Sequence, residues 1–270
     1  MLIAISGLTT EAGWFNWLSR KRGSAGAGKD EAARQLVQAH NYVPIAFADP
    51  LKRILKDVFD FTDDQLWGPS ENRNKEDPRY PRNVFGGSPL GSCPLVHSKE
   101  DPTPVGLTVR HALQTLGDGW GRNECYEPIW AEYAIRMTRQ LATGKFGYDQ
   151  KLGLYPFSGT PSSIDPELQC SGVKGGPVII GVPRTDVVIT DLRYQNEAEA
   201  VRKAGGKIVR VKRKVKEIKV SPDHKSENDL LTLHDDDFDW VLDNNSTLTD
   251  LWARVDRMVE GLKPLSPQPE

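Results

Sequence analysis

The segment Gly23-Ser24-Ala25-Gly26-Ala27-Gly28-Lys29-Asp30 constrains this chain more than any other stretch. It matches a phosphate loop of the form G-x-x-x-x-G-K-[ST] except at the last position, where Asp30 stands for Ser or Thr. Such a loop works because glycines let successive backbone N–H groups converge on phosphate oxygens, while the following helix adds a partial positive charge and the lysine a full one. It also dictates its surroundings, a buried strand before it and a helix directly after it. Leu2 to Ile5 is an apolar run of the required kind, ending at Ser6-Gly7. Lys29 to Ala39 carries Ala32, Leu36 and Ala39 on one helical face. Between strand and loop, however, stand fifteen residues, Leu8 to Arg22. Removing them joins LIAISG to GSAGAGKD, so they read as an insertion. With Trp14, Phe15, Trp17 and Leu18 followed by Arg20, Lys21 and Arg22, the insertion suits a short amphipathic helix or a surface excursion that packs its aromatics on the body. Looping it out requires Gly7 and Gly23 to lie close together. A plain Gly/Ala/Ser-rich surface loop would share this composition, so the rest of the chain decides.

Tyr42 to Ala48 is β-rich, and Asp49-Pro50 reads as an N-cap with proline in the first turn of a helix striped by Leu51, Ile54, Leu55 and Val58. Residues 68 to 106, rich in Gly, Pro, Ser and Asn, predict an irregular region or lid. Thr108 can cap a helix that sets Arg110 and Gln114 one turn apart and stops at Gly117-Asp118-Gly119, with Trp120 and Arg122 following. Pro128 to Leu141 spaces Trp130, Ala134, Met137 and Leu141 as a core helix, and residues 143 to 177 read as a second insertion. Val187 to Thr190 is a buried strand ending in Asp191, with Arg193 two residues on. A carboxylate at the end of a strand beside a phosphate loop orients magnesium or its waters. A helix over Asn196 to Ala204, stopped by Gly205-Gly206, leads to a strand over Lys207 to Val211. The basic run Arg210, Lys212, Arg213, Lys214 and Lys216 is either a solvated face or a set of cations over a polyphosphate. Trp240 to Leu242 is a last strand, and Ser246-Thr247 opens a helix with Leu248, Leu251, Trp252, Val255, Met258 and Val259 inward. In this order the elements predict an α/β three-layer sandwich, a parallel sheet covered on both faces with ligands at the carboxyl ends of its strands.

A chain of 270 residues has room for one large domain with insertions, expected over residues 1 to 263, with a frayed tail from 264 to 270. Lys and Arg total 35 against 37 Asp and Glu, which leaves no global positive charge for a nucleic acid polymer. Cys93, Cys125 and Cys170 lack the number and spacing of a disulfide framework or a zinc site and suit a reducing cytosol. No apolar run reaches the length of a signal peptide core or a membrane span, so a cytoplasmic protein is expected.

Six stretches together resemble the phage-type deoxynucleoside monophosphate kinases of the nucleoside monophosphate kinase superfamily. They are GSAGAGKD (23–30), AFADPLK (46–52), LTVRHALQTLGDGWGR (107–122), VVITDLRYQNEAEAVRKAGG (187–206), HKSEND (224–229) and DWVLDNNSTLTDL (239–251). The resemblance leaves out residues 8–22, much of 68–106 and 143–177. It implies a P-loop, adenylate-kinase-like fold that moves the γ-phosphoryl group of ATP, with Mg2+, onto a deoxynucleoside 5′-monophosphate. It also accounts for Asp30, because the family is similar in placing Asp after the loop lysine. What it implies for the donor side is that Gly23, Ser24, Ala25, Gly26, Ala27, Gly28, Lys29 and Asp30 hold ATP with Arg213 as a further cation. Asp30 and Asp191 would place the metal, and Lys29, Asp30 and Arg193 would act at the moving group. Asp49, Lys52, Arg110, Gln114, Trp120, Arg122 and Arg193 would form the acceptor side. There the guanidinium forks meet phosphate, and Gln114 and Trp120 read the base; Asp49 serves equally as a helix cap. His224 and Glu227 fall in the lid-like stretch 213–229, and His40, His97, His111 and His234 receive no role. The resemblance points to a bacteriophage product in its host's cytoplasm and allows a homodimer. Two alternatives stay open: a kinase of the same superfamily acting on mevalonate 5-phosphate or dephospho-coenzyme A, and a nucleotide-binding protein whose turnover the insertion at Leu8 to Arg22 impairs.

Overall fold

The apolar run ahead of the loop becomes the central strand of a six-stranded sheet in the computed structural model, which describes residues 1–11, 22–23, 26–82, 105–156, 185–215 and 233–262. In chain order the first elements are β1 (Leu2–Glu11), β2 (Arg22–Gly23), α1 (Lys29–His40), β3 (Val43–Ile45), α2 (Asp49–Phe59), α3 (Asp63–Trp67), β4 (Glu76–Arg82), β5 (Val105–Thr108) and α4 (Val109–Gln114). A π-helical stretch over Thr115–Cys125 continues α4. Then come α5 (Ile129–Ala142), β6 (Phe146–Asp149), β7 (Gly153–Pro156), β8 (Val187–Ile189), α6 (Gln195–Lys203), β9 (Lys207–Val215), β10 (Trp240–Asp243) and α7 (Leu248–Leu262). The chain divides into two compact units, Met1–Phe47 with Ala131–Glu270, and Ala48–Trp130.

In the first unit the sheet order is β10-β9-β1-β8-β3, every pair parallel, with β2 added antiparallel to β1. Side-chain alternation along the strands splits the core. Ile3, Ile5, Val188, Val209, Val211 and Leu242 pack with Ala32, Ala33 and Leu36 of α1 and with Leu251, Val255, Met258 and Val259 of α7. On the other face Leu2 approaches α6 so closely that a Cβ on Gly206 would lie 2.8 Å from Leu2 and 2.7 Å from Val201. Helices on both faces make this the three-layer α/β architecture of a phosphate-loop kinase fold. Each fully buried Ile, Leu or Val contributes about 1.5–3 kcal/mol, so the strands that position the loop are also the most strongly held part of the unit. Ala39, in the last turn of α1, is exposed rather than buried, as is Leu248 at the start of α7.

The largest departure from expectation lies at the insertion. β1 does not stop at Gly7 but runs on to Glu11, paired in parallel with β9 as far as Val215. The extension has a physical cause: Leu8, Thr9 and Thr10 suit a strand, and Lys212 to Val215 offer them a full ladder partner. Leu8 to Glu11 are therefore strand and not the start of an amphipathic helix. β2 returns antiparallel, setting Gly23 opposite Thr9. Gly23 thus comes back to the sheet two residues beyond Gly7, as excision of the insertion demands. Trp14, Phe15, Trp17, Leu18, Arg20 and Lys21 lie outside the described residues.

In the second unit, Leu55, Phe61, Leu66, Leu107, Val109 and Ala112 form the core. Phe59 and Phe61 stack with centroids 5.4 Å apart, and Tyr80 meets Phe59 edge-on at 5.2 Å. Helix α2 begins one residue earlier than Asp49-Pro50 suggests. Ala48 is its N-cap, without a side-chain cap bond, and Asp49 is the first helical residue, buried in a turn that favours negative charge. Leu51 and Leu55 are buried, whereas Ile54 and Val58 are exposed. The region expected to be irregular carries a 3-10 turn over Asn72–Asn74 and the antiparallel pair β4–β5. Likewise β6 and β7 form a hairpin at the start of the second expected insertion.

Thr108 caps α4 as expected, its hydroxyl accepting from the His111 N–H at 3.1 Å. The helix does not stop at Gly117, however. A Cβ on Gly121 would lie 2.5 Å from the Trp130 ring, and the Trp130 indole N–H donates to the Gly117 carbonyl at 2.8 Å. Gly121 thus serves close approach of an indole rather than a turn, and the chain widens into π geometry through Cys125.

Candidate active site

The described part of the loop, Gly26 to Gly28, is shaped by two left-handed glycines, Gly26 at φ +74° and Gly28 at φ +97°; Ser24 and Ala25 lie outside the described residues. Gly28 caps α1 through backbone alone, its carbonyl accepting from the Ala32 N–H at 3.0 Å. Lys29 is mostly buried, and its ammonium contacts the Asp30 carboxylate at 2.8 Å. Asp30 itself is 83% exposed, so a ligand approaching the helix end meets it. Arg213, from the far half of β9, donates to the Gly26 carbonyl at 3.4 Å.

Asp191 follows β8. The flanking amides hold the chain there: Thr190 donates to the Ile45 carbonyl at 3.1 Å and Leu192 to the Ile5 carbonyl at 3.3 Å. One Asp191 oxygen accepts from the Phe47 N–H at 2.8 Å. The backbone at Arg193 is fixed by Glu197, a buried carboxylate that accepts from the Arg193 N–H at 2.9 Å and the Tyr194 N–H at 3.1 Å. Lys29, Asp30, Asp191, Arg193 and Arg213 therefore all belong to the first unit, the first four at or next to element ends and Arg213 inside β9.

The basic run of β9 is not a uniform solvated face. Arg210 is buried, its guanidinium carbon 3.9 Å from the Phe238 ring centre and one nitrogen bonded to the Leu233 carbonyl at 3.0 Å and to Asp235 at 3.2 Å. Lys212 pairs with the same carboxylate. Burial pushes the Asp235 carboxyl up, but hydrogen bonds from Lys212 and Arg210 outweigh it and hold it below the usual carboxylate range. A cleft of about 500 Å³ opens beside these groups, with Arg213, Lys214 and Asn245 also on its walls.

In the second unit Arg110 is held in place. Its Nε donates to the Asn74 side-chain oxygen and an Nη to the Ser70 hydroxyl at 3.0 Å, which uses two of its five donors. Gln114 lies one turn further along α4, half-buried. Trp120 is 50% exposed on the π-helical stretch. Arg122 is only 10% exposed and pairs with Asp118 at 3.1 Å, so an internal carboxylate already neutralises it. The Lys52 ammonium sits 5.7 Å from the Trp67 ring centre.

Sequence reasoning passed over Asn244, which donates through Nδ2 to the Ala27 carbonyl at 2.9 Å, and Ser70 and Asn74, which hold Arg110. The signal for Asn244 was the Asn-Asn pair after the last strand; Ser70 and Asn74 are hidden in polar, turn-rich sequence. His40 has a partner after all, Asp256 at 2.7 Å. Cys125 is an exposed free thiol, and His224 and Glu227 lie outside the described residues. Among the described residues no helix is long and apolar enough to cross a membrane.

Fold and loop together form an α/β three-layer arrangement consistent with a phosphate-loop kinase fold. No protein-family model matches the chain. Over 244 residues, 90% of this chain and 96% of the other, it is 23% identical to a protein of Acanthamoeba polyphaga mimivirus named "Putative deoxynucleotide monophosphate kinase".

Proposed function

We propose that the protein transfers the γ-phosphoryl group of ATP to a deoxynucleoside 5′-monophosphate, yielding ADP and the deoxynucleoside diphosphate. The observation that carries this reading is the similarity to the mimivirus protein of that name, because it extends over 244 residues, 90% of this chain and 96% of the other. The chemistry asks little covalent work of the chain. An oxygen of the acceptor phosphate attacks the γ-phosphorus, the bond to the β–γ bridging oxygen breaks, and ADP leaves; the attacking oxygen needs no general base because it is already ionised. The protein must hold two polyanions in line, neutralise charge and exclude water.

In this reading the amides of Gly26 to Lys29 and the Lys29 ammonium hold the donor phosphates, with Gly23, Ser24 and Ala25 completing the loop and Arg213 beside it. Arg193 meets the moving group, and Arg110 grips the acceptor phosphate, steadied by Ser70 and Asn74. Gln114 and Trp120 face the base, while Asp49, Lys52 and Arg122 support that side. Asp30 and Asp191 would hold magnesium: both offer hard carboxylate oxygens, and one or two carboxylates with phosphate oxygens and water suit this ion. Bound with ATP, it would neutralise charge on the β- and γ-phosphates.

The test is purified protein with ATP, magnesium and a panel of deoxynucleoside monophosphates, mevalonate 5-phosphate and dephospho-coenzyme A, read by nucleotide analysis. Diphosphate formed from deoxynucleotides alone is the expected result. Turnover only of another acceptor would move the assignment to that substrate, and ATP binding without turnover would make the protein a nucleotide-binding one. Lys29→Ala should abolish transfer while leaving the circular dichroism spectrum intact; surviving activity would remove the loop from the mechanism.

A further inference from the structure

We propose that Asn244 is a positioning residue that sets the direction of the phosphate-loop amides, and with it the affinity for ATP. The inference rests on the reading of the loop as the ATP phosphate site.

The geometry follows from peptide planarity. In a trans peptide the carbonyl of one residue and the N–H of the next point to opposite sides, and the described chain has no cis peptide. Asn244 Nδ2 takes the Ala27 carbonyl at 2.9 Å, so the Gly28 N–H in the same peptide points away from Asn244. Arg213 takes the Gly26 carbonyl at 3.4 Å, which turns the Ala27 N–H away from Arg213. The Gly28 carbonyl is committed to the Ala32 N–H within α1, so the Lys29 N–H projects from the helix start. Three successive amides are thereby released together, the arrangement that makes an anion nest.

Asn244 is itself anchored. Its backbone N–H donates to the Lys212 carbonyl at 2.7 Å, and Asn245 accepts from the Lys214 N–H at 2.6 Å, so the pair fastens the end of β10 to β9. The loop rests against this anchor without spare room: a Cβ on Gly28 would lie 2.2 Å from Asn244 Nδ2. An asparagine amide here is the donor that keeps the Ala27–Gly28 peptide from flipping, and a flip would present a carbonyl oxygen to the phosphates.

The experiment compares the full-length protein with Asn244→Leu, Asn244→Asp and Asn245→Ala. Readouts are ATP affinity by calorimetry, KM for ATP, KM for the deoxynucleoside monophosphate, and Tm. Asn244→Leu keeps the branching at Cγ but loses the donor, and Asn244→Asp keeps the shape but aims a carboxylate at a carbonyl. ATP affinity should fall about tenfold in the first, the worth of one hydrogen bond, and further in the second, with the monophosphate KM within about twofold of the parent. Asn245→Ala removes a strand fastening but no loop contact and should lower Tm while leaving ATP affinity unchanged. ATP affinity unchanged in both Asn244 variants, or a loss shared equally by both substrates and by Asn245→Ala, would overturn the inference alone. Failure of the parent protein to bind ATP would overturn it together with the kinase reading.

Discussion

Gly26 and Gly28 both hold left-handed backbone, yet their surroundings differ. A Cβ on Gly26 meets nothing within 4 Å, whereas one on Gly28 collides with the Asn244 amide. Gly26→Ala should therefore cost only the backbone strain, on the order of 1–2 kcal/mol. Gly28→Ala should add an overpacking cost of about 1–3 kcal/mol to the same strain. Urea denaturation of the two variants measures the difference, and equal losses would mean that the loop does not rest on Asn244 as described. Much of the candidate site could be read from residue types: Lys29 after a glycine turn, Asp191 at the end of an apolar run, Arg110 on a capped helix. What escaped was the partner of each, because Ala27 meets Asn244 across more than two hundred residues of sequence and no local pattern records that contact.

Among the elements, those made by local patterning were foreseen and those made by distant partners were not. The strands β1, β8 and β9, helix α1 behind its glycine and α6 ahead of Gly205 all carry their periodicity or stop signal on themselves. The outer half of β1 is a strand because β9 pairs with it, and the π-helical stretch accommodates Trp130, whose ring lies on Gly121 and whose N–H donates to the Gly117 carbonyl. Glycine-rich sequence therefore misled in one direction, suggesting a helix stop where the structure uses missing side chains as a seat for an indole. Gly121→Ala should test this. The added methyl has no room beside the ring, so a loss of about 1–3 kcal/mol is expected, with altered near-ultraviolet circular dichroism as Trp130 shifts. A variant as stable as the parent with an unchanged tryptophan signal would show that the indole does not hold the widened helix.

Across the described residues, the Asp carboxyls whose pKa is displaced all move downward, and this shapes the response to acid. In the second unit the Arg79 guanidinium, joined by Gln65, holds the nearly buried Asp77 far below the usual carboxylate range. In the first unit Asp235, Asp239 and Asp256 are also lowered: burial opposes this in each, and is outweighed by Lys212 and Arg210 at Asp235, by Lys207 and the Ile208 N–H at Asp239, and by Gln35 and His40 at Asp256. A carboxyl whose folded pKa lies below its unfolded value binds fewer protons when folded. Its contribution is complete above the unfolded value, about 3.9 for Asp, and is lost as the pH falls through the folded value. Stability should accordingly be flat with respect to these groups from pH 7 to about pH 5 and fall steadily from about pH 4 to 2. Asp77→Asn separates the largest of them from the rest, since the amide keeps the shape but cannot ionise. The variant should be less stable than the parent at pH 7, and the gap should narrow as the pH falls from about 4 toward 2, where the unfolded parent binds a proton that the folded carboxylate still resists. Urea midpoints of both proteins across this range decide the matter: a gap that stays constant down to pH 2 would mean that Asp77 acts through packing and not through its charge.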